Sequence, residues 1–157
     1  MGRSGKTFRG HMLIGEFKHS LDDKNRISLP AKFRSEMGKN VIITPGLDNC
    51  LFIFTKKRWD EISERLSNSE SSMLAADNRS FNRYLLGGAV EVPVDAVGRM
   101  LIPEFLKSRA KIQSKVVFIG VRDRVEIWDE IAWDNYRKSI ESRADELAEK
   151  LGKAGFI

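Results

Sequence analysis

The fold of this chain is decided by two related stretches, DDKNRISLP at residues 22–30 and DAVGRMLIP at residues 95–103. Asp, Arg and Pro occupy the same positions in both copies, and apolar residues lie one and three positions before each proline. A second block, residues 42–59, returns as residues 116–133, and each copy ends in a tryptophan. Two copies are too few for a solenoid. The duplication therefore predicts one domain with pseudo-two-fold symmetry, which presents two related surfaces to whatever it binds.

Length and composition are those of a soluble globular protein. The chain has 157 residues, of which 41% are hydrophobic and 31% charged, which suits one domain or two small halves with a shared core. No apolar run approaches the ~20 residues of a membrane span, and no signal peptide is visible. The single cysteine, Cys50, excludes an internal disulfide and is expected to be a small core residue. We therefore expect a cytoplasmic protein with no membrane partner.

The N-terminal residues require separate treatment. Residues 1–11 (MGRSGKTFRGH) show no apolar periodicity, and we interpret them as an expression tag that precedes a native start at Met12. Without Arg3, Lys6 and Arg9 the basic residues fall from 27 to 24 against 22 acidic residues, so the net charge falls from +5 to +2. Bulk charge is therefore weak evidence for a nucleic-acid partner, and such a partner must be argued from where the charges lie.

The residues on either side of each Asp-x-x-x-Arg motif alternate between apolar and polar. This period of two is typical of half-buried strands, and we predict a β-hairpin in each repeat with the motif at its tip. Asn25 aligns with Gly98 at the two tips. Because these residue types tolerate positive φ best, both tips are expected to contain a left-handed residue.

The remainder of each repeat follows one plan. Pro30 and Pro103 each precede a helix-compatible stretch, since proline suits the first helical turn. A second pair of strands and a longer amphipathic helix come next. The apolar spacing from Asp129 to Leu151 predicts one C-terminal helix, packed on its own domain or covering a neighbouring subunit. The predicted organisation is a first repeat at 12–67, a helical linker at 68–88, a second repeat at 89–136, and a C-terminal helix and tail at 137–157.

The residues needed for most enzymatic chemistry are absent. Only His11 and His19 occur, so with one cysteine the chain cannot supply the three or four ligands of a zinc site. His19 is expected to be a core or interface histidine, because it lies on the apolar face of its strand. A metal-dependent hydrolase could use Asp22 and Asp23, but the second copy has Ala96 where a paired carboxylate would be needed. We therefore predict a non-enzyme without catalytic residues, metal, cofactor or small-molecule substrate.

The two turns allow a structural and a functional interpretation. In the structural one, Asp22 and Asp95 bond the amides of their own turns and are bridged by Arg26 and Arg99. In the functional one, a rigid tip projects Arg26 and Lys24 into a partner. The planar guanidinium group suits guanine or phosphate, and a two-stranded ribbon fits the major groove of DNA.

The two repeats differ in charge. Residues 16–34 contain five basic and three acidic residues, whereas residues 89–107 contain two basic and three acidic residues. A surface that neutralises phosphates concentrates cations, so the first repeat is the predicted DNA face. The predicted DNA-binding residues are Arg26, Lys24, Asn25, Lys18 and Arg99. The same pattern also fits a non-enzymatic protein-interaction module, such as an antitoxin-like or scaffold barrel whose tips bind an acidic partner.

These motifs resemble the MraZ family, whose members are built from tandem AbrB-like (SpoVT-AbrB type) repeats that each carry an Asp-x-x-x-Arg motif. The resemblance runs from about Met12 to Tyr136, and the family has glycine where this chain has Asn25. It rests on the following residues: Gly15-Glu16-Phe17, Leu21-Asp22-Asp23-Lys24-Asn25-Arg26, Leu29-Pro30-Ala31-Lys32-Phe33-Arg34, Tyr84-Leu85-Leu86-Gly87-Gly88-Ala89, Asp95-Ala96-Val97-Gly98-Arg99, Leu101-Ile102-Pro103 and Ile127-Trp128.

The resemblance implies an α+β fold, a duplicated swapped-hairpin (double-split) β-barrel with flanking helices. It also implies a ring-like homo-oligomer that binds short direct repeats of double-stranded DNA in the promoter of its own operon, the division and cell-wall gene cluster. The protein is then expected to be nucleoid-associated and to repress that operon. By motif, Arg26 and Lys24 correspond to DNA contacts, whereas the acidic surroundings of Arg99 argue against an equal role for the second repeat.

Overall fold

The computed structural model describes residues 12–68 and 71–157, so the predicted tag, with His11, lies outside the described residues. Within these ranges the chain forms eight strands and seven helices. In chain order these are β1 (Ile14–Ser20), β2 (Arg26–Ser28), α1 (Ala31–Met37), β3 (Asn40–Pro45), β4 (Leu51–Thr55), α2 (Lys56–Ser67), α3 (Ser71–Leu74), α4 (Ala76–Leu85), β5 (Val90–Pro93), β6 (Arg99–Leu101), α5 (Glu104–Arg109), β7 (Lys115–Val121), β8 (Val125–Asp129), α6 (Glu130–Ser142) and α7 (Ala144–Lys153).

The two repeats exchange their first strands. In the six-stranded antiparallel sheet the order is β1-β7-β8-β4-β3-β5, so the first strand of each repeat pairs with the third strand of the other. When each strand is replaced by its counterpart in the other repeat, the same order is obtained, read from the opposite edge of the sheet. This is the pseudo-two-fold symmetry that the duplication predicts. The adjacent pairs β3–β4 and β7–β8 are joined within their own repeats, as the sequence predicts. The two halves are therefore interlocked and form one folding unit.

The β-hairpin predicted around each Asp-x-x-x-Arg motif is wrong in its strand pairing. The turns exist, but β1 pairs with β7, and β2 pairs with β6 in a separate two-stranded ladder. Period-two alternation reports which face of a strand is buried and not which strand lies beside it. The α+β class is confirmed, but closure into a barrel is not, since no ladder joins the two sheets among the described residues.

The main core lies between the larger sheet, the two-stranded ladder and the two short helices. Ile27 and Met100 face each other across the ladder and are buried, as are Phe33 of α1 and Leu106 of α5. On the other face of the sheet α6 packs with Trp133 against Trp128, with ring centroids 5.2 Å apart. Burial of these large apolar side chains supplies the main driving force for the fold.

The helices begin where the sequence indicates. Pro30 and Pro103 come directly before α1 and α5, α2 is capped by the Thr55 hydroxyl, and α6 by the Asp129 carboxylate. The single C-terminal helix is a wrong prediction, because the helix breaks at Arg143 into α6 and α7. The Ser142 hydroxyl donates to the carbonyl of Ser139 at the end of α6. Such side-chain bonds compete with the helix, and the apolar spacing continues across the break and so conceals it.

Cys50 and His19 lie in the positions expected of structural residues. Cys50 is buried, and burial raises the pKa of its thiol, so it is not a reactive nucleophile. His19 is half-buried and packs edge-to-face on Phe118, with ring centroids 5.4 Å apart. Among the described residues, no helix has the length and apolar character needed to cross a bilayer.

The positive φ at the second turn predicts a cost for any side chain there. Gly98 has φ +87°, and a Cβ atom would lie 2.4 Å from the guanidinium of Arg34. We expect Gly98→Ala to lower the free energy of unfolding by about 1–2 kcal/mol, because a left-handed residue with a Cβ is strained. Urea denaturation measures this change. Asn25→Gly is the matched change at the first turn, where Asn25 has φ 60°, and a larger loss there than at Gly98 would contradict the interpretation.

The environment of His19 predicts a pH dependence of stability. Burial, followed by the positive charge of Arg34, lowers the pKa of His19 from its usual 6.5. The folded state therefore favours the neutral ring, and this contribution is lost as the pH falls below the unfolded pKa. We expect the urea midpoint of the wild type to fall more between about pH 7.5 and 5.5 than that of His19→Gln. Parallel curves for the two proteins would show that His19 does not titrate in this way.

Candidate nucleic-acid interface

Both Asp-x-x-x-Arg turns are closed by the same set of hydrogen bonds. Asp22 Oδ1 accepts from the amides of Lys24 and Arg26, both at 2.9 Å. Asp95 Oδ1 accepts from the amides of Val97 at 3.0 Å and Arg99 at 2.8 Å. Each aspartate therefore fixes its own turn, as the structural interpretation of these residues predicts, and the turn conformation is set before any partner binds.

The same two aspartates orient the two arginines. The Nε atom of Arg26 donates to Asp22 Oδ2 at 2.8 Å, and the Nε atom of Arg99 donates to Asp95 Oδ2 at 3.1 Å. The two arginine side chains are 37% and 41% exposed. Within the described part of the chain, the terminal Nη atoms of both arginines donate no hydrogen bond. Two oriented guanidinium groups thus present their free N–H donors to solvent.

Both aspartates stay ionised at neutral pH. The amide of Arg26, together with its guanidinium, holds the pKa of Asp22 below its usual value, and Arg99 acts in the same way on Asp95. A charged carboxylate is the stronger acceptor for amides and guanidinium groups. Its charge also offsets part of the positive charge of each turn, so the arginines act by directed donors more than by bulk charge.

The two-stranded ladder brings the two arginines to one surface. Arg26 lies opposite Leu101 and Ser28 lies opposite Arg99, whereas the intervening pair points into the core. Opposite residues of an antiparallel pair share a face, so Arg26, Ser28, Arg99 and Leu101 form one outward face. We call these four residues the ribbon face. Its two arginines come from different repeats, an arrangement that the charge comparison of the repeats did not anticipate.

Each turn is also held by the other repeat. The carbonyl of Gly98 accepts from the amide of Leu29 at 2.8 Å, and the carbonyl of Asn25 accepts from the amide of Ile102 at 2.9 Å. The Asn25 side chain accepts from Lys107 Nζ at 3.0 Å. Asn25 therefore has a turn-forming role, with its side-chain oxygen already bonded, which weakens the prediction that it contacts a partner.

Two cations beside the turns were missed by sequence reasoning. Arg34 of α1 lies against Gly98 of the second turn, and Lys107 of α5 bonds to Asn25 of the first turn. They occupy matching positions, since each lies four residues after the proline that ends the repeated motif, and this match is the signal that could have identified them. Arg34 Nε also donates to the carbonyl of Leu29 at 2.8 Å. Each turn thus has a basic side chain from the opposite half as its neighbour.

The remaining predicted residues lie in different settings. Lys24 is exposed at the first turn, and the matching residue of the second turn is Val97, which is 60% exposed. Lys18 is exposed in β1, opposite Val117 and on the face of the larger sheet turned away from the main core. It belongs to a different sheet from Arg26.

The carboxylates of the first turn are not arranged as a metal site. Both oxygens of Asp22 are engaged by the turn and by Arg26, and Asp23 is exposed. Across residues 12–68 and 71–157 there is no group of three or more histidine, cysteine, aspartate or glutamate side chains that could hold a metal ion. The geometry at the turns is that of a surface rich in donors.

Comparison with known proteins agrees with the repeat structure. The family model described as MraZ protein, whose description also carries the term antitoxin-like, matches residues 12–84 and again residues 85–153. The chain is 46% identical over 140 residues to a protein called Transcriptional regulator MraZ from Caldanaerobacter subterraneus subsp. tengcongensis, which covers 89% of this chain and 96% of that protein.

Two further relatives carry the same name. One, from Thermoanaerobacter sp. (strain X514), is 43% identical over 140 residues, or 89% of this chain and 96% of that protein. The other, from Alkaliphilus oremlandii, is 40% identical over 145 residues, or 92% of this chain and the whole of that protein. With both repeats matched and nearly the full length aligned, this chain belongs to the MraZ family.

Proposed function

We propose that this chain is a DNA-binding transcriptional regulator that reads double-stranded DNA with its ribbon face. The observation that carries the proposal is the pair Arg26 and Arg99, held on one surface by carboxylates that occupy only their Nε atoms. Arginine with free Nη donors is the side chain that most often reads guanine in the major groove. The relatives described above are named as transcriptional regulators, which supports the same role.

The dimensions of the ribbon suit the major groove. A two-stranded β-ribbon fits a groove about 12 Å wide. On the outward face the two arginines lie diagonally, with Leu101 opposite Arg26 and Ser28 opposite Arg99. Apolar side chains can contact the methyl group of thymine. Lys24, exposed at one end of the ribbon, is placed to neutralise a backbone phosphate. Arg26 and Arg99 thus supply base readout, and Lys24 supplies positioning.

The aspartates contribute through preorganisation. Because Asp22 and Asp95 fix both the turn amides and the guanidinium planes, little conformational entropy remains to be lost when DNA binds. Their negative charge also disfavours loose, non-specific attachment to phosphate. Asn25 and Gly98 act as left-handed turn residues in this scheme, and Lys18 acts at most on the flanking backbone.

A single ribbon buries little surface, so we propose that several copies act together. A homo-oligomer that presents several ribbon faces to spaced promoter repeats raises the effective concentration of each, and avidity supplies much of the affinity. Its target is the promoter of its own operon, which it represses, and the protein is accordingly associated with the nucleoid. A footprint on the DNA upstream of its own gene tests the target.

The competing function is a module that binds an acidic protein through the same turns. The antitoxin-like term in the family description is consistent with this alternative. Pull-down from lysate with and without nuclease separates the two functions, since a protein partner survives digestion and a DNA partner does not. Recovery of the same protein partner from both samples, without DNA, would overturn the proposal.

Replacing Arg26 is expected to abolish operator binding. Arg26→Ala removes the guanidinium group but leaves the Asp22 carboxylate to close the turn, so fold and oligomer mass should persist. A gel-shift assay with the upstream DNA measures binding, and circular dichroism checks the fold. Arg137→Ala is the matched control, since Arg137 is also ion-paired, but on α6. Arg99→Ala should weaken binding as well, and normal binding by Arg26→Ala would falsify the assignment.

Operator affinity is expected to fall steeply with salt. Each phosphate neutralised by a cation contributes about −0.9 to the slope of log K against log salt. We expect a linear dependence for the wild type, and a slope smaller by about 1 for Lys24→Ala, which loses one phosphate contact. Fluorescence anisotropy over a salt series measures both slopes. A flat response, or an unchanged slope in the variant, would contradict the role of Lys24.

A further inference from the structure

Among the described residues, the helix α7 packs only loosely on the rest of the chain, with Leu147 partly covered. None of its ten residues is buried, and Leu151 is 46% exposed. Among the described residues, no side-chain hydrogen bond or ion pair joins α7 to the sheets. Isolated helices shorter than about 12–15 residues are marginal in water, so a helix of this length needs another surface to be stable.

One side of α7 is built for such a surface. Its apolar residues recur at intervals of three and four, which places them on one face of a helix, whereas Asp145 and Glu149 lie on the opposite face. The alanines in this stripe leave room for a close approach by a partner. The stripe consists of Ala144, Leu147, Ala148 and Leu151.

An apolar groove of matching character lies in the first repeat, between α2 and α4. It encloses a cavity of about 220 Å³ and contains a single ionic pair, Asp123 and Arg124, at its edge. A second cleft shares Leu66 and Phe81 with it and so prolongs the groove along the two helices. Its apolar residues are Leu47, Phe52, Phe54, Ile62, Leu66, Phe81 and Leu85. An apolar groove between two helices is a surface that typically binds a third helix.

The duplication relates α7 to a helix that does dock. In each repeat, helical chain follows the long helix: α3 and α4 follow α2 in the first repeat, and α7 follows α6 in the second. α4 packs on its own half through buried Leu85, and the side-chain amide of Asn82 donates to the carbonyl of Leu66 at 3.3 Å. α7 likewise follows the long helix of its repeat, but it makes no such contacts among the described residues, so its apolar face is left for another molecule.

The charges of the two surfaces are complementary. α2 has four basic and three acidic residues, and α4 has two basic residues and one acidic residue, so each wall of the groove has a net charge of +1. α7 has two basic and three acidic residues, a net charge of −1. Opposite net charges favour approach of the helix to the groove, whereas two copies of α7 repel each other.

We propose that α7 of one copy of this chain lies in the α2–α4 groove of a second copy, with Leu147 and Leu151 against Leu66 and Phe81. This contact deepens the self-assembly proposed above and rests on it. Because the helix and the groove are different surfaces, the interface is heterologous. Each copy donates one helix and accepts one, so repetition closes a ring or extends a fibre, and a symmetric dimer is not formed by this contact.

The helix is tested first, on full-length protein without DNA. The double substitution Leu147→Asp with Leu151→Asp places charges in the apolar stripe and is expected to reduce the oligomer to a monomer of 17.9 kDa by light scattering. Ile131→Asp is the control, because Ile131 is an exposed apolar residue of α6 outside both surfaces, and it should keep the wild-type mass. A double variant that keeps the wild-type mass overturns the proposal.

Mixing two defective copies tests the pairing itself. Phe81 is 38% exposed, so Phe81→Asp should block the groove while the chain still folds, and it should also be monomeric. Mixed with the helix double variant, it is expected to give a complex of two chains, since one intact helix meets one intact groove. This complex cannot grow. A mixture that stays monomeric, although circular dichroism shows both variants folded, contradicts the proposed pairing.

The same variants distinguish this contact from the DNA-binding role. Binding to a DNA fragment that carries a single copy of the promoter repeat depends on the ribbon face. This binding should be equal in the wild type and in both monomeric variants. If the variants keep the oligomer, only the docking contact is wrong. If the wild type is a monomer, the docking contact and the proposed assembly are both wrong. The role of Arg26 in binding a single DNA repeat is tested separately, by the gel-shift assay.

Discussion

The pairing of β2 with β6 is the constraint on which the rest of the structure depends. This ladder has only three residue pairs, yet it joins the two repeats at their most similar point. The amides of Leu29 and Ile102 extend it by donating to the carbonyls of the opposite turns. Without the ladder these groups would be unpaired, and buried unpaired groups are costly. The ladder thus makes the fold of each repeat conditional on the other.

Alternation along this ladder separates stability from function. The central pair, Ile27 and Met100, is buried in the core, and the pairs on either side point outward. Replacement of Ile27 or Met100 by a polar residue would leave a cavity or an unpaired polar group in the core. The side chains of Arg26 and Arg99, by contrast, bond only to the partly exposed aspartates of their own turns, so their replacement is expected to cost little stability. The side chains of the outward face can therefore change while the ladder is kept.

Much of this fold could be predicted from the sequence, because its determinants are local. Positive φ at Asn25 and Gly98, the helix starts after the prolines, and turn closure by Asp22 all follow from neighbouring residues. The exchange of strands did not follow from the alternation, which defines a face and not a partner, and only the family resemblance implied that the two halves exchange elements. The contact of Lys107 with Asn25 joins residues 82 positions apart, and no local pattern reports it.

The candidate site was predicted in part for the same reason. Arg26 and Lys24 were predicted as DNA contacts from the turn and from the charge of the first repeat, and the structure shows that both are accessible there. Counting charges repeat by repeat gave Arg99 a lesser place, because the shared face depends on the register between β2 and β6. The break of the C-terminal helix at Arg143, which frees α7, was likewise hidden by an apolar spacing that runs through it.

The two ends of the ribbon are related by symmetry but differ in chemistry, since Lys24 at one end corresponds to exposed Val97 at the other. A surface with a dyad and identical ends would sit equally well on DNA in either orientation. Here one end carries a cation and the other an apolar side chain, so the ribbon has a direction. If the ribbon reads DNA, its sites should all point the same way along the duplex, head to tail, instead of mirroring one another.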